Sequence, residues 1–238
     1  MKLSFLSSLL VSTVVSAAVV SRQGGEQTLG PIVGDWYGTG VSRNAYDWMT
    51  KGLAQVNLTM TCEKVKVVST EQNAINLEET ATLKRIDTQA TADIHATGKV
   101  TIGQQDNNQN GIYTVDYSIS EFTAKKSDWN RLYPGYSDDN SNGDSDTITV
   151  PGTAPLTVPA HVTFLSSQNN GVKDAIYLWI YGKDFPQQGA ASVSDEVYST
   201  LYTKTSSIND QVFETLKEQI PANAGGSDFI KAPNTCSN

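Results

Sequence analysis

Gly34-Asp35-Trp36-Tyr37-Gly38-Thr39-Gly40 is the stretch on which the fold turns. A Gly-x-Trp at the start of a strand asks for close backbone approach at the glycine. It also sets a large, rigid apolar plate two residues later on the same face. Three residues alone identify nothing. Their weight comes from the rest of the chain: eight strand-like segments, one helix and a cysteine near the C-terminal end.

The first segment spans 35–42. The second, 53–68, sets Val56, Leu58, Met60 and Cys62 on one face against Asn57, Thr59 and Thr61. Its phase then changes, with Val65 and Val67 apolar, as a bulge near Glu63 would produce. The third, 74–85, alternates Ile75, Leu77, Ala81 and Leu83 against polar neighbours. The fourth, 90–102, does the same with Ala92, Ile94, Ala96, Val100 and Ile102. Asn110-Gly111 is a hairpin signal leading into the fifth, 112–122, with Tyr113, Val115, Tyr117 and Ile119 in phase.

An irregular stretch, 123–155, carries Pro134-Gly135 and a polar run, and reads as a surface excursion. Segments six to eight are 158–165, 174–181 and 197–205. The seventh is apolar on both faces. Ser207 caps an expected helix over 208–220 that aligns Ile208, Val212, Leu216 and Ile220 before Pro221. Eight short alternating strands in one unit predict an all-β fold, a closed antiparallel barrel or a sandwich.

The N-terminus reads as a secretory signal over residues 1–18. Lys2 supplies the positive region, 3–15 the apolar run and Ser16-Ala17-Ala18 the cleavage site. Residues 19–30 read as a small, polar arm, and 31–238 as a single domain. The apolar run is too short to span a membrane, and no later segment replaces it. The net charge is -8, and loss of Lys2 leaves 16 basic against 25 acidic residues. That balance argues against nucleic acid or an anionic membrane as partner.

Cys62 and Cys236 are the only cysteines. In an exported chain an even pair points to a disulfide, with two free thiols as the alternative. Asn57-Leu58-Thr59 is a glycosylation sequon, consistent with export and with an outward Asn57.

Catalytic signatures are sparse. His95 and His161 lie apart on polar strand faces, so no metal site is expected from them. No nucleophile elbow and no His-Glu-x-x-His occurs. Strand carboxylates (Glu78, Glu79, Asp93, Asp116 and Glu121) keep open an extracellular enzyme acting on glycan or lipid. Two loops, 138–146 and 106–111, begin like calcium-binding loops. Their twelfth positions are Thr149 and Tyr117 rather than a bidentate Glu, and Asn, Asp, Ser and Gly are also what ordinary turns use. No metal or cofactor is expected.

The aromatics are the richer constellation. Tyr113, Val115, Tyr117, Phe164, Tyr177, Trp179 and Tyr181 are candidate ligand contacts lining a lumen. An eight-stranded barrel is just wide enough to hold one small molecule, and wall tyrosines add polar handles. A plain packed core is the other reading of the same residues.

In this order the parts resemble the lipocalins, secreted cup-shaped barrels that hold small apolar molecules. The resemblance covers about residues 30–238. Gly34-Asp35-Trp36 looks like that family's first-strand Gly-x-Trp, and the polar link 43–52 like its large first loop over the barrel mouth. The segment 198–204 through Ile220 looks like the last strand and packed helix. The resemblance implies an eight-stranded antiparallel up-and-down barrel with one C-terminal helix outside. It also implies that Gly34, Trp36 and Lys204 are structural, with Lys204 over the Trp36 ring, and that Cys236 ties the tail to the wall. Ser167-Gln168-Asn169-Asn170-Gly171 stands where the family has Thr-Asp-Tyr.

The function implied is a secreted carrier, without catalysis, for a small hydrophobic partner such as a fatty acid, retinoid or pigment. Enclosing about 200–300 Å² of ligand at about 25 cal/mol per Å² supplies roughly 5–8 kcal/mol before costs. Two alternatives remain: the extracellular enzyme, and an interaction protein whose closed core holds nothing.

Overall fold

The computed structural model describes residues 32–71, 74–105, 111–134, 146–150, 153–168, 172–184, 196–232 and 236. The expected signal 1–18, the arm 19–30 and most of both calcium-like loops lie outside the described residues.

The strands are β1 (Gly34–Ser42), β2 (Leu58–Thr70), β3 (Ala74–Arg85), β4 (Thr91–Gln105) and β5 (Ile112–Ile119). They continue with β6 (Thr123–Lys125), β7 (Thr147–Thr149), β8 (Leu156–Leu165), β9 (Ala175–Tyr181), β10 (Val197–Thr203) and β11 (Phe229–Lys231). The helices are α1 (Arg43–Gln55), α2 (Lys126–Leu132) and α3 (Asp210–Lys217). Eight strands close into an antiparallel barrel in the order β1-β2-β3-β4-β5-β8-β9-β10, with β10 returning to β1. The predicted all-β barrel is therefore the observed fold.

Barrel interior and exterior are set by period-two alternation. Along β3, Ile75, Leu77, Ala81 and Leu83 are buried in the lumen, while Asn76, Glu78, Thr80 and Thr82 are more exposed. In β2 the phase change comes earlier than the expected position near Glu63. Met60 pairs with Leu83 and Cys62 with Thr82, so Thr61 is the extra, bulged residue. Leu58 and Met60 face inward and Cys62 faces outward. Unbroken alternation would put Cys62 on the Met60 face. The bulge turns it to the outer wall, where its disulfide to Cys236 closes with the Cα atoms 4.7 Å apart.

The link 43–52 and the residues before Leu58 are helix rather than loop and strand. Ser42 caps α1, its Oγ accepting from the Ala45 amide at 3.3 Å. Asn57, expected in a strand, ends the helix in a left-handed conformation with φ 61°. Asn tolerates that region better than most side chains. Gly34 likewise has φ +113°, so it is required for its backbone angle. A Cβ there would meet nothing closer than Lys204 Nζ at 3.8 Å.

The stretch 123–155 is more than the expected surface excursion. β6 extends the sheet beside β4, β7 pairs with β6, and α2 drives Trp129 and Leu132 fully into the barrel core with Ile148 and Val150. α1 and α2 both sit at the end of the barrel where β1 stops and β2 starts. Arg85 ties them together. Its guanidinium donates to the Leu132 carbonyl and lies 5.7 Å from the Tyr133 ring, while the Tyr133 hydroxyl donates to the Val56 carbonyl at 3.2 Å.

The opposite end is shut by Trp36, 2 % exposed, whose indole donates to the Ile32 carbonyl at 2.7 Å. Lys204 Nζ lies 3.9 Å from the Trp36 ring centroid and donates to the carbonyls of Ile32 and Val33. Outside the wall, α3 is shorter than expected and its cap is Asn209, not Ser207. Asn209 accepts from the Val212 amide at 2.8 Å. Phe213, Leu216 and Ile220 pack with Phe229 of β11 on the outer faces of β9 and β10.

A candidate site at the β1–β2 seam

The structure divides the predicted ligand contacts between two sides of the wall. Val115, Tyr117 and Phe164 face the lumen, with Tyr113 partly buried beside Phe164 at 6.4 Å between ring centroids. Tyr177, Trp179 and Tyr181 face outward. Strand β9 is apolar on both faces, and its outer face is the floor on which the C-terminal segments pack. Tyr177 illustrates this: its hydroxyl donates to Ser199 Oγ at 2.8 Å, and its ring meets Phe229 at 5.6 Å.

Two carboxylates stand inside the barrel. Glu63 of β2 is 9 % exposed and Glu79 of β3 is 3 % exposed. Because Val65 pairs with Glu79 and Glu63 with Ala81, they are diagonal neighbours on the inner face. Each is held by a tyrosine two strands away. The Tyr202 hydroxyl of β10 donates to Glu63 at 2.5 Å, and the Tyr117 hydroxyl of β5 donates to Glu79.

The reach is made possible by a glycine on the strand between. Gly38 of β1 stands opposite Tyr202, and a Cβ on it would lie 3.2 Å from Glu63 Oε2. Gly98 of β4 stands beside Glu79, and a Cβ there would lie 3.1 Å from Glu79 Oε1. A side chain at either glycine would crowd the carboxyl that the tyrosine crosses to reach.

Burial pushes the Glu63 carboxyl up to about 7, against the Tyr202 hydrogen bond, which favours the ionised form. Burial and the neighbouring Glu63 push the Tyr202 hydroxyl well above the usual tyrosine range. Glu63 therefore exchanges its proton near neutrality, although an ordinary glutamate is ionised there.

Glu63 is also the floor of a cavity. β1 pairs with β2 only from Gly34 to Tyr37, after which the two strands separate. β11 takes over pairing with β1 from Gly40 to Ser42. The opening left in the seam is roofed by α1. It holds a cavity of about 40 Å³ lined chiefly by Ala45, Tyr46, Met49, Met60, Glu63 and Thr200. That is room for a few waters or a small polar head group, given about 10–15 Å³ per water.

Sequence reasoning points to the aromatics and misses this corner, although a signal is present. Glu79 sits in the apolar phase of β3 between Leu77 and Ala81, and Glu63 is in phase with Val65 and Val67. An acid in the buried phase of a strand needs a partner, and that need marks both positions. Among the described residues, no group of three or more His, Cys, Asp and Glu side chains is arranged to hold a metal ion. No helix among them is long and apolar enough to cross a membrane. In comparisons with known proteins, no family model and no curated sequence matches the chain.

Proposed function

We propose that this is a secreted, lipocalin-like binding protein that takes a small molecule with an apolar body into the seam between α1, β1 and β2. The observation that carries the reading is the cavity itself, with an apolar rim and one hydrogen-bonding carboxyl at its floor. Its small size directs the reading away from a retinoid or pigment enclosed in the lumen, since sites for ligands of that size occupy about 300–1,000 Å³. A head group fits the cavity, and a tail would run out past Met49 and Met60, flexible side chains that adapt to irregular guests.

Export is part of the same proposal, supported by the N-terminal sequence and by the disulfide. So is a glycan on Asn57, whose half-buried position follows a helix end rather than lying in a strand. Peptide mass mapping of the secreted protein before and after deglycosylation should show a mass shift on the Asn57 peptide.

Native mass spectrometry of the protein purified from its own medium tests the binding reading. A released small molecule, or displacement of the neutral apolar dye Nile red by one, is the expected result. A chain that carries nothing and binds no dye would be the interaction protein instead. The dense filling of the lumen by Tyr117, Phe122, Trp129 and Tyr202 favours that second reading. The glycan enzyme gains no support from the acidic pair, because Glu63 lines the cavity and Glu79 is not among its lining residues.

A further inference from the structure

We infer that the seam cavity selects a cationic head group, an alkylammonium carried on an aliphatic chain, with Glu63 as its counter-ion. The inference rests on the binding reading above and narrows it to a ligand class.

Glu63 is the only charged side chain among the described residues that line the cavity. The groups facing it are themselves acidic or neutral: Tyr202 from β10, Glu79 from β3 and Tyr46 from α1. An ammonium placed there would donate to a carboxylate already oriented by Tyr202, and would supply the positive charge that the buried group otherwise meets by keeping its proton. A fatty acid would instead set a second carboxylate against Glu63. An alcohol could donate one hydrogen bond but would bring no charge. The walls fit the rest of the ligand, since Val41, Ala45, Met49 and Met60 are apolar and Tyr46 offers a ring within the same cavity. The protein's overall charge of -8 attracts cations to its surface and repels fatty-acid anions.

The test uses the full secreted chain and three probes of one length: hexylamine, hexanol and hexanoate, titrated calorimetrically at pH 8. Hexylamine should bind at least tenfold more tightly than either of the others. Because the ammonium needs an ionised Glu63, its affinity should fall about tenfold for each pH unit below 7, with hexanol unaffected. Glu63→Gln should remove both the preference and the pH slope. Met49→Trp, which fills the cavity while leaving Glu63 itself in the chain, should abolish hexylamine binding and serves if Glu63→Gln misfolds.

Equal affinity for hexylamine and hexanol, or tighter binding of hexanoate, overturns the cation assignment. If none of the three binds while Nile red does, the cation assignment fails and the binding reading stands. If Nile red also fails to bind, both fall.

Discussion

The hydroxyl of Tyr202 reaches across the barrel wall to the carboxyl of Glu63, 2.5 Å away, passing over Gly38 on the strand between them. Tyr117 reaches Glu79 in the same way, past Gly98. Each triplet is one solution to one problem. A carboxyl inside a barrel needs a donor, its nearest strand neighbours are apolar, and only a missing Cβ leaves the corridor for a donor two strands off.

The corridor can be closed by one methyl group. In Gly38→Ala the new Cβ would sit 3.2 Å from Glu63 Oε2 and 3.6 Å from Thr200 Cγ2. Overpacking of this kind costs about 1–3 kcal/mol. A drop of that size in stability from urea unfolding is expected for Gly38→Ala, and likewise for Gly98→Ala. No change in the urea midpoint would mean that the carboxyls relax freely and are not held in place.

Stability should depend on pH through Glu63. Its carboxyl titrates at about 7 folded and near 4.5 unfolded, so between those values the native state holds the extra proton. Stability is then greatest at and below about pH 4.5, falls as pH rises to 7, and levels off above. A shift of this size corresponds to about 3 kcal/mol for this group. Urea unfolding from pH 4.5 to 8 in wild type and Glu63→Gln isolates the contribution. The variant should lose most of the slope, and equal slopes in both proteins would contradict it.

The closed end rests on Trp36. Trp36→Ala removes a ring that is 2 % exposed, and large-to-small core changes of this kind cost about 3–5 kcal/mol. Lys204→Met keeps the stem and removes the cation that lies 3.9 Å from the ring centroid, and should cost on the order of 1 kcal/mol. Thermal unfolding of the two variants should rank them in that order. Neither change touches the seam cavity, so ligand affinity should hold in whatever fraction remains folded.

The disulfide should be a strong staple. Cys62 and Cys236 are 174 residues apart in the chain, and closing so long a loop restricts the unfolded ensemble by about 5 kcal/mol at most on the chain-entropy account. The double variant Cys62→Ala, Cys236→Ala should be destabilised by about 2–5 kcal/mol, measured by urea unfolding beside the wild type. An unchanged urea midpoint would show that the bridge adds nothing to the folded barrel.

Much of the architecture is legible from alternation. The period-two pattern locates strands such as β3, which matches to the residue, because one face meets the core and the other meets water; β9, buried on both faces, shows instead as an apolar run. Elements that break the pattern are not legible. α1 resembles a polar loop in sequence because only Ala45, Gly52 and Leu53 are buried and its other residues are half-buried or exposed. The plug around Trp129 hides in the sequence because its apolar residues are spread over α2, β7 and Val150 just after β7.

Local information suffices for the eight barrel strands, though not for β6, β7 or β11, and for Cys62–Cys236 as the favoured pairing, while the family resemblance implies the places of Trp36 and Lys204. Periodicity, the count of cysteines and a recurring motif carry these, and none needs a distant neighbour. Three features exist only once the chain is folded: the direction in which Cys62 points, the outward placement of Tyr177, Trp179 and Tyr181, and the meeting of Glu63 with Tyr202 at the floor of a seam. Those depend on a one-residue bulge and on the closure of the sheet. A bulge reverses every later side chain in its strand, and closure brings β10 within reach of β2 though they lie more than a hundred residues apart.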